Sequence, residues 1–195
     1  MTPVFVIALP RSRTAWLCNW LSEHAACFHE PLAECAGLPD FHNMLRPYLA
    51  GPVVAADTAF PLVIDGLLTR FPSARFIVIQ RDPAAVGRSI AQLGLPSDDF
   101  GRVVHAFKRA VYRLQRSERD TFVLDAHQLD DDAVARRLWR WVVTGSDASD
   151  VDDGFDLVRF NMLRDFRVEV MLDRVVDRIR RNADRLGQLS TTFEV

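Results

Sequence analysis

An unbroken apolar run, Val4-Phe5-Val6-Ile7-Ala8-Leu9, gives way at Pro10 to a short basic and hydroxyl-bearing loop, Arg11-Ser12-Arg13-Thr14, which leads directly into Ala15-Trp16-Leu17. Six apolar residues ended by a turn signal read as a strand buried on both faces, the kind found inside a parallel sheet. The residues beyond the loop read as the first turn of a helix. Strand, loop and helix N-terminus together make an anion site, because backbone N–H groups face one way with the positive end of the helix dipole behind them. Arg11 and Arg13 add full charges, Ser12 and Thr14 add hydroxyl donors, and the whole suits a phosphate or a sulfate. The plainer reading is a strand–helix corner whose basic residues are solvated at its rim, and a second motif weighs against it.

That motif is Arg75-Phe76-Ile77-Val78-Ile79-Gln80-Arg81-Asp82-Pro83, followed by Ala84-Ala85-Val86-Gly87-Arg88-Ser89. Phe76 to Ile79 read as a second buried parallel strand. Arg81 falls at its carboxyl end, where open α/β sheets bind their ligands. Pro83 suits the first position of the next helix, and Ser89 lies about two turns into it.

The order of both motifs resembles that of the sulfotransferases. Pro10-Arg11-Ser12-x-Thr14-x-Trp16-Leu17 is similar to their 5′-phosphosulfate loop, and Arg81 with Ser89 eight residues later is similar to the pair that holds the donor's 3′-phosphate. The nucleotide P-loop, by contrast, ends in Gly-Lys-Ser/Thr, and no Gly-Lys pair occurs in the chain. The resemblance covers the first ~145 residues, strongly at these two sites and weakly between them. It implies a P-loop-like α/β fold, 3′-phosphoadenosine 5′-phosphosulfate as co-substrate, and no metal, since arginines neutralise the charge. Arg11 is expected on the leaving 5′-phosphate and the sulfuryl oxygens. Ser12, Arg13, Thr14 and Ala15 are expected around the 5′-phosphate. Trp16 matches an adenine-stacking position, although a tryptophan there equally suits the core.

Sulfuryl transfer to a hydroxyl or amine needs a base placed to take the acceptor's proton. Cys27-Phe28-His29-Glu30-Pro31 ends a short strand signal beside the loop, and a Glu in this region serves as base in several sulfotransferase branches. Glu30 is therefore the first candidate and His29 the second, since an imidazole titrates near neutrality. Asp57, in Ala55-Ala56-Asp57-Thr58, follows another strand signal and is a weaker candidate for contact with the acceptor. His24, His42 and His105 have no partner at metal-ligand spacing and read as surface or packed side chains. His127 follows a strand signal and lines a cleft in this reading.

Strand signals at Val4–Leu9, Cys27–His29, Pro52–Ala55, Arg75–Gln80 and Thr121–Asp125 alternate with helix signals. The latter lie at Thr14–Ser22, Pro39–Leu49, Leu62–Phe71, Pro83–Leu93, Phe100–Ser117 and Asp131–Val143. Alternation of this kind predicts a three-layer α/β/α arrangement with a mostly parallel sheet over residues 1–145. Gly145 to Gly154, with four Asp, reads as a solvated loop or lid; residues 155–187 read as one or two amphipathic helices with a salt-bridged face; Leu189–Val195 reads as a tail or edge strand. At 195 residues the simplest expectation is a single domain.

A net charge of −2 argues against a general nucleic-acid binder, so any positive potential must be local. No apolar run approaches the ~18 residues of a membrane span, and the first strand starts at once, without space for a signal peptide. Cys18, Cys27 and Cys35 are odd in number and lack metal-like spacing, which fits reduced thiols in the cytoplasm. The expected partner is a small-molecule, carbohydrate or peptide acceptor, with no nucleic acid and no membrane.

Four departures from the family pattern stand out. Arg13 occupies a position that normally holds Gly, so a left-handed backbone there would cost on the order of 1 kcal/mol. Ala15 replaces a hydroxyl residue, Ala126-His127-Gln128 replaces a common Tyr-Glu-Asp, and only Arg180-Arg181 offers a counterpart to the C-terminal 3′-phosphate loop. Two alternatives follow: a non-catalytic nucleotide-binding relative of the fold, or a P-loop small-molecule kinase, for which the phosphate-binding lysine is missing.

Overall fold

The computed structural model describes residues 2–94, 100–145 and 155–164. Five strands, β1 (Val4–Ala8), β2 (Ala26–His29), β3 (Val53–Ala56), β4 (Arg75–Gln80) and β5 (Thr121–Asp125), form one sheet in the order β2-β3-β1-β4-β5. Every pairing is parallel. Helices α1 (Thr14–Leu21), α2 (Leu38–Leu45), α3 (Ile64–Arg70), α4 (Pro83–Gln92), α5 (Phe100–Gln115), α6 (Asp132–Val143) and α7 (Leu157–Arg164) cover it.

The period of two along β1 divides the core. Phe5, Ile7 and Leu9 enter one cluster with residues of α2, α3, α4 and α5, while Val4, Val6 and Ala8 enter a second with residues of α1, α6 and α7. Five phenylalanines, Phe5, Phe41, Phe60, Phe71 and Phe76, fill the centre of the first, with ring centroids of Phe5 4.9–5.9 Å from the other four. Both faces of β1 are thus apolar and buried, which is why its sequence runs without alternation.

Strand and helix positions follow the sequence expectation closely, with the sheet parallel throughout. The expected Pro39–Leu49 helix divides into α2 and a short 3-10 turn, Arg46–Tyr48. Pro47 has no N–H to continue the α-helical ladder, and its ring crowds the preceding turn. Two further 3-10 turns, Pro31–Glu34 and Ala126–Asp130, lie at strand ends to which the sequence reading assigned no element. Of the C-terminal readings, α7 falls within the expected amphipathic segment. Most of the Gly145–Gly154 loop, the remainder of residues 155–187, Arg180-Arg181 and the Leu189–Val195 tail lie outside the described residues. Among the described residues no helix is long and apolar enough to cross a membrane.

Adjacent strands β1 and β4 send their helices to opposite faces of the sheet, α1 to one and α4 to the other. A crevice therefore opens beyond their carboxyl ends, the place where ligands bind in open α/β sheets.

Candidate functional site

The loop from Pro10 to Arg13 forms one wall of this crevice. Arg11 and Arg13 both adopt left-handed backbone, with φ of 62° and 64°. A non-glycine residue held there costs roughly 1–2 kcal/mol. Arg13 is also the N-cap of α1, and neither a capping side chain nor an acidic residue serves that helix start. By contrast, Asp82 caps α4 through the N–H groups of Ala84 and Ala85, and Asp131 caps α6 through those of Ala133 and Val134. Ser12, between the two arginines, is fully buried, and its Oγ has no hydrogen-bond partner among the described residues. A buried hydroxyl without a partner costs about 1–3 kcal/mol, so this loop is built at the expense of stability.

From the other wall, Arg81 at the end of β4 donates a hydrogen bond to the carbonyl of Arg11. Arg11 Nε donates to Ser89 Oγ on α4 at 3.2 Å. The three side chains singled out from two separate motifs thus meet at one point. Among the described residues neither guanidinium has a carboxylate within ion-pair distance. Partial loss of hydration, and then the neighbouring Arg81, pull the Arg11 guanidinium below its ordinary value. Two like charges held together this way form a ready anion site.

Arg13 is placed differently. Its guanidinium pairs with Asp130 at 2.7 Å and lies over the ring of Trp16, 4.5 Å from its centroid. Trp16 itself is buried, packed on Trp20 and Phe160. Of the two roles open to this tryptophan, the core role is the one its placement fits. Ala15 is exposed on the first turn of α1. His127 is exposed within the Ala126–Asp130 turn, and His24 packs on Trp139.

The candidate bases lie at the ends of β2 and β3. Thr14 Oγ1 is 3.2 Å from His29 Nε2, and the same nitrogen is 3.8 Å from Glu30 Oε1, beyond hydrogen-bond distance. Glu30 is buried with a left-handed φ of 54°. Its Oε2 accepts from Thr58 Oγ1 at 3.1 Å and more distantly from the Thr58 N–H. Burial above all, and then the charge of Asp57, push the Glu30 carboxyl well above its ordinary value. Asp57 turns inward and is 3 % exposed, with one oxygen on the Leu32 N–H and the other on the Ala59 N–H, both at 2.8 Å.

Thr58 and Asp130 were not singled out by sequence reasoning. Thr58 carried a signal, as a hydroxyl directly after Asp57 at a strand end. Asp130 was hidden in the acidic run that opens α6. Cys18, Cys27 and Cys35 form no disulfide; burial raises Cys27 to about 12, so it is inert as a nucleophile at neutral pH. Among the described residues no three His, Cys, Asp or Glu side chains are grouped to hold a metal ion.

No protein-family model matches the chain, and no curated protein matches it. Among solved structures it is similar to the crystal structure of the YorR protein from Bacillus subtilis in complex with phosphorylated GDP. The likeness has a TM-score of 0.50 and 10% identity, and it covers 70% of this chain and 93% of that one. It shows the fold alone: an α/β arrangement around a five-stranded parallel sheet.

Proposed function

We propose that this protein is a sulfotransferase that moves a sulfuryl group from 3′-phosphoadenosine 5′-phosphosulfate to a hydroxyl or amine acceptor. The observation that carries the reading is the meeting of Arg11, Arg81 and Ser89 in the crevice, two cations without a carboxylate partner among the described residues. The orphaned Ser12 hydroxyl and the uncapped start of α1 beside them suit an anionic group in the same place.

The bound donor supplies an activated sulfuryl group on a good leaving group. In this reading Arg81 and Ser89 take the 3′-phosphate, while Ser12 and the α1 amides hold the 5′-phosphate. Arg11 balances the charge that builds on the leaving oxygen. As the acceptor oxygen bonds to sulfur, the bond from sulfur to the 5′-phosphate breaks and the acceptor's proton passes to Glu30. Transfer of this type rests on positioning and charge stabilisation rather than on covalent catalysis by the protein. Glu30 is favoured over His29 because its carboxyl is held by the Thr58 hydroxyl and raised by burial and by Asp57.

The test is thermal stabilisation by adenosine 3′,5′-bisphosphate, with ATP–magnesium and an Arg81→Ala variant alongside. A ligand at about 100 times its dissociation constant adds about 2.7 kcal/mol, which for a chain of this size raises the midpoint by about 5–10 °C. Stabilisation by the bisphosphate, lost in Arg81→Ala, is the expected result. A shift with ATP–magnesium alone would overturn the reading in favour of a kinase. Bisphosphate binding with no transfer to any acceptor tried would leave a non-catalytic relative.

A further inference from the structure

The register of the sheet places two acidic residues side by side. His29 of β2 is opposite Ala56 of β3, so the next residue of each strand, Glu30 and Asp57, emerges at the same end of the sheet. The Glu30 N–H donates to the Ala56 carbonyl at 2.7 Å, which fixes the relative position of the two chains there. Asp57 stands beside Glu30 there, and after burial its charge raises the Glu30 carboxyl. Two carboxyls side by side do not both ionise readily, so one keeps its proton to higher pH.

The surroundings decide which one. Both oxygens of Asp57 already accept backbone N–H groups, from Leu32 and Ala59, and such donors stabilise the ionised form. On Glu30, the Thr58 hydroxyl at 3.1 Å and the Thr58 N–H at 3.4 Å reach one oxygen, longer contacts than the two on Asp57, and His29 Nε2 is 3.8 Å from the other. From α1, Cys18 also faces Glu30, its thiol pushed upward first by burial and so neutral. We infer that Asp57 is a positioning residue that keeps its own charge and holds the proton on Glu30, and that Thr58 acts on Glu30 in the opposite sense. The inference deepens the reading of Glu30 as the proton acceptor and rests on it for its catalytic meaning; the pairing of the carboxyls does not.

The chemical consequence is a tuned base. An ordinary carboxylate is a poor acceptor for a hydroxyl proton near neutral pH, and one whose proton affinity is raised toward the working pH is a better one. Asp57 supplies that increase through a charge that cannot move away, because the backbone amides hold both of its oxygens. Transfer then begins only at a pH where Glu30 has released its proton. The acid side of the pH–rate profile follows this pair rather than an isolated glutamate.

The experiment is a pH titration of the full chain carrying side-chain 13C-labelled glutamate, followed by NMR, with Glu30→Gln used to assign the signal. The wild-type Glu30 midpoint should lie above the ordinary carboxylate range. In Asp57→Asn it should fall by at least about one pH unit, and in Thr58→Val, which leaves both Asp57 anchors in place, it should rise. Opposite movement in the two variants supports the pair; a Glu30 midpoint in the ordinary range, or one unmoved by either change, overturns it. If Asp57→Asn fails to fold, the wild-type midpoint and the direction in Thr58→Val decide the matter. Failure of bisphosphate binding with the opposite movements intact would sink the sulfotransferase reading and leave the pair standing. Where transfer is measured, the acid limb of the rate should move in the same directions as the midpoint.

Discussion

Ser12 is the clearest single residue at which this chain gives up stability, and in the proposed reading it does so for an anion. Its side chain is fully buried between Arg11 and Arg13, its Oγ has no partner among the described residues, and both neighbours occupy left-handed backbone. A structural serine in such a place would be expected to bond a nearby carbonyl; an orphaned one is explained by an anion that accepts from it. Ser12→Ala should therefore leave the thermal midpoint of the ligand-free protein unchanged or raised. The same change should weaken bisphosphate binding by roughly 5–10-fold, the worth of one hydrogen bond. A lowered midpoint with unchanged binding, read by differential scanning fluorimetry and calorimetric titration, would make the hydroxyl structural instead. Arg13 raises a related question. The sequence marked it as a residue standing where glycine is usual, and the backbone does take the left-handed conformation there. Its charge goes to Asp130 rather than standing open, which residue type alone did not reveal.

At the level of elements, the loop is supported from behind by an aromatic cluster joining three segments. Phe160 of α7 is fully buried and packs against Trp16 and Trp20 of α1 and against Phe155, with ring centroids 5.4–5.9 Å away. Phe160→Ala should cost about 3–5 kcal/mol in chemical denaturation, the usual range for an aromatic removed from a closed core. A loss below about 1 kcal/mol would mean that α7 does not hold this face of the sheet. The strands and most helices were legible because β1 and β4 are continuous apolar runs and because Pro83 and the acidic residues at 130–132 mark helix starts. Arg81 and Ser89 were legible as a pair through the resemblance to the sulfotransferases, while strand, proline and helix signals placed each of them. The three 3-10 turns were not, since short turns carry no periodicity. Nor was the contact of Glu30 with Thr58 and Asp57, which depends on the register between β2 and β3, a property of two segments and not of either one.

For the molecule as a whole, the shared α/β architecture says little about chemistry, since many activities occupy one fold and differ in their loops. A buried carboxyl in such a loop does have a global consequence. In the unfolded chain Glu30 loses its proton near its ordinary value of 4.5, while in the folded protein burial and Asp57 hold that proton to higher pH. Above 4.5 the unfolded state therefore binds fewer protons than the folded one at this group, and stability falls as pH rises. The contribution of Glu30 is fully present below 4.5 and is lost as pH rises through the folded value. Glu30→Gln keeps the shape and stays neutral, so it removes this dependence while leaving the packing in place. Thermal midpoints of the two proteins should differ by a fixed offset below 4.5, and the variant should gain on the wild type over the interval from 4.5 up to the folded value of Glu30. A gap that stays constant over that interval would mean that folding does not change the proton affinity of Glu30. The pair with Asp57 would then have no hold on the base, whatever the crevice binds.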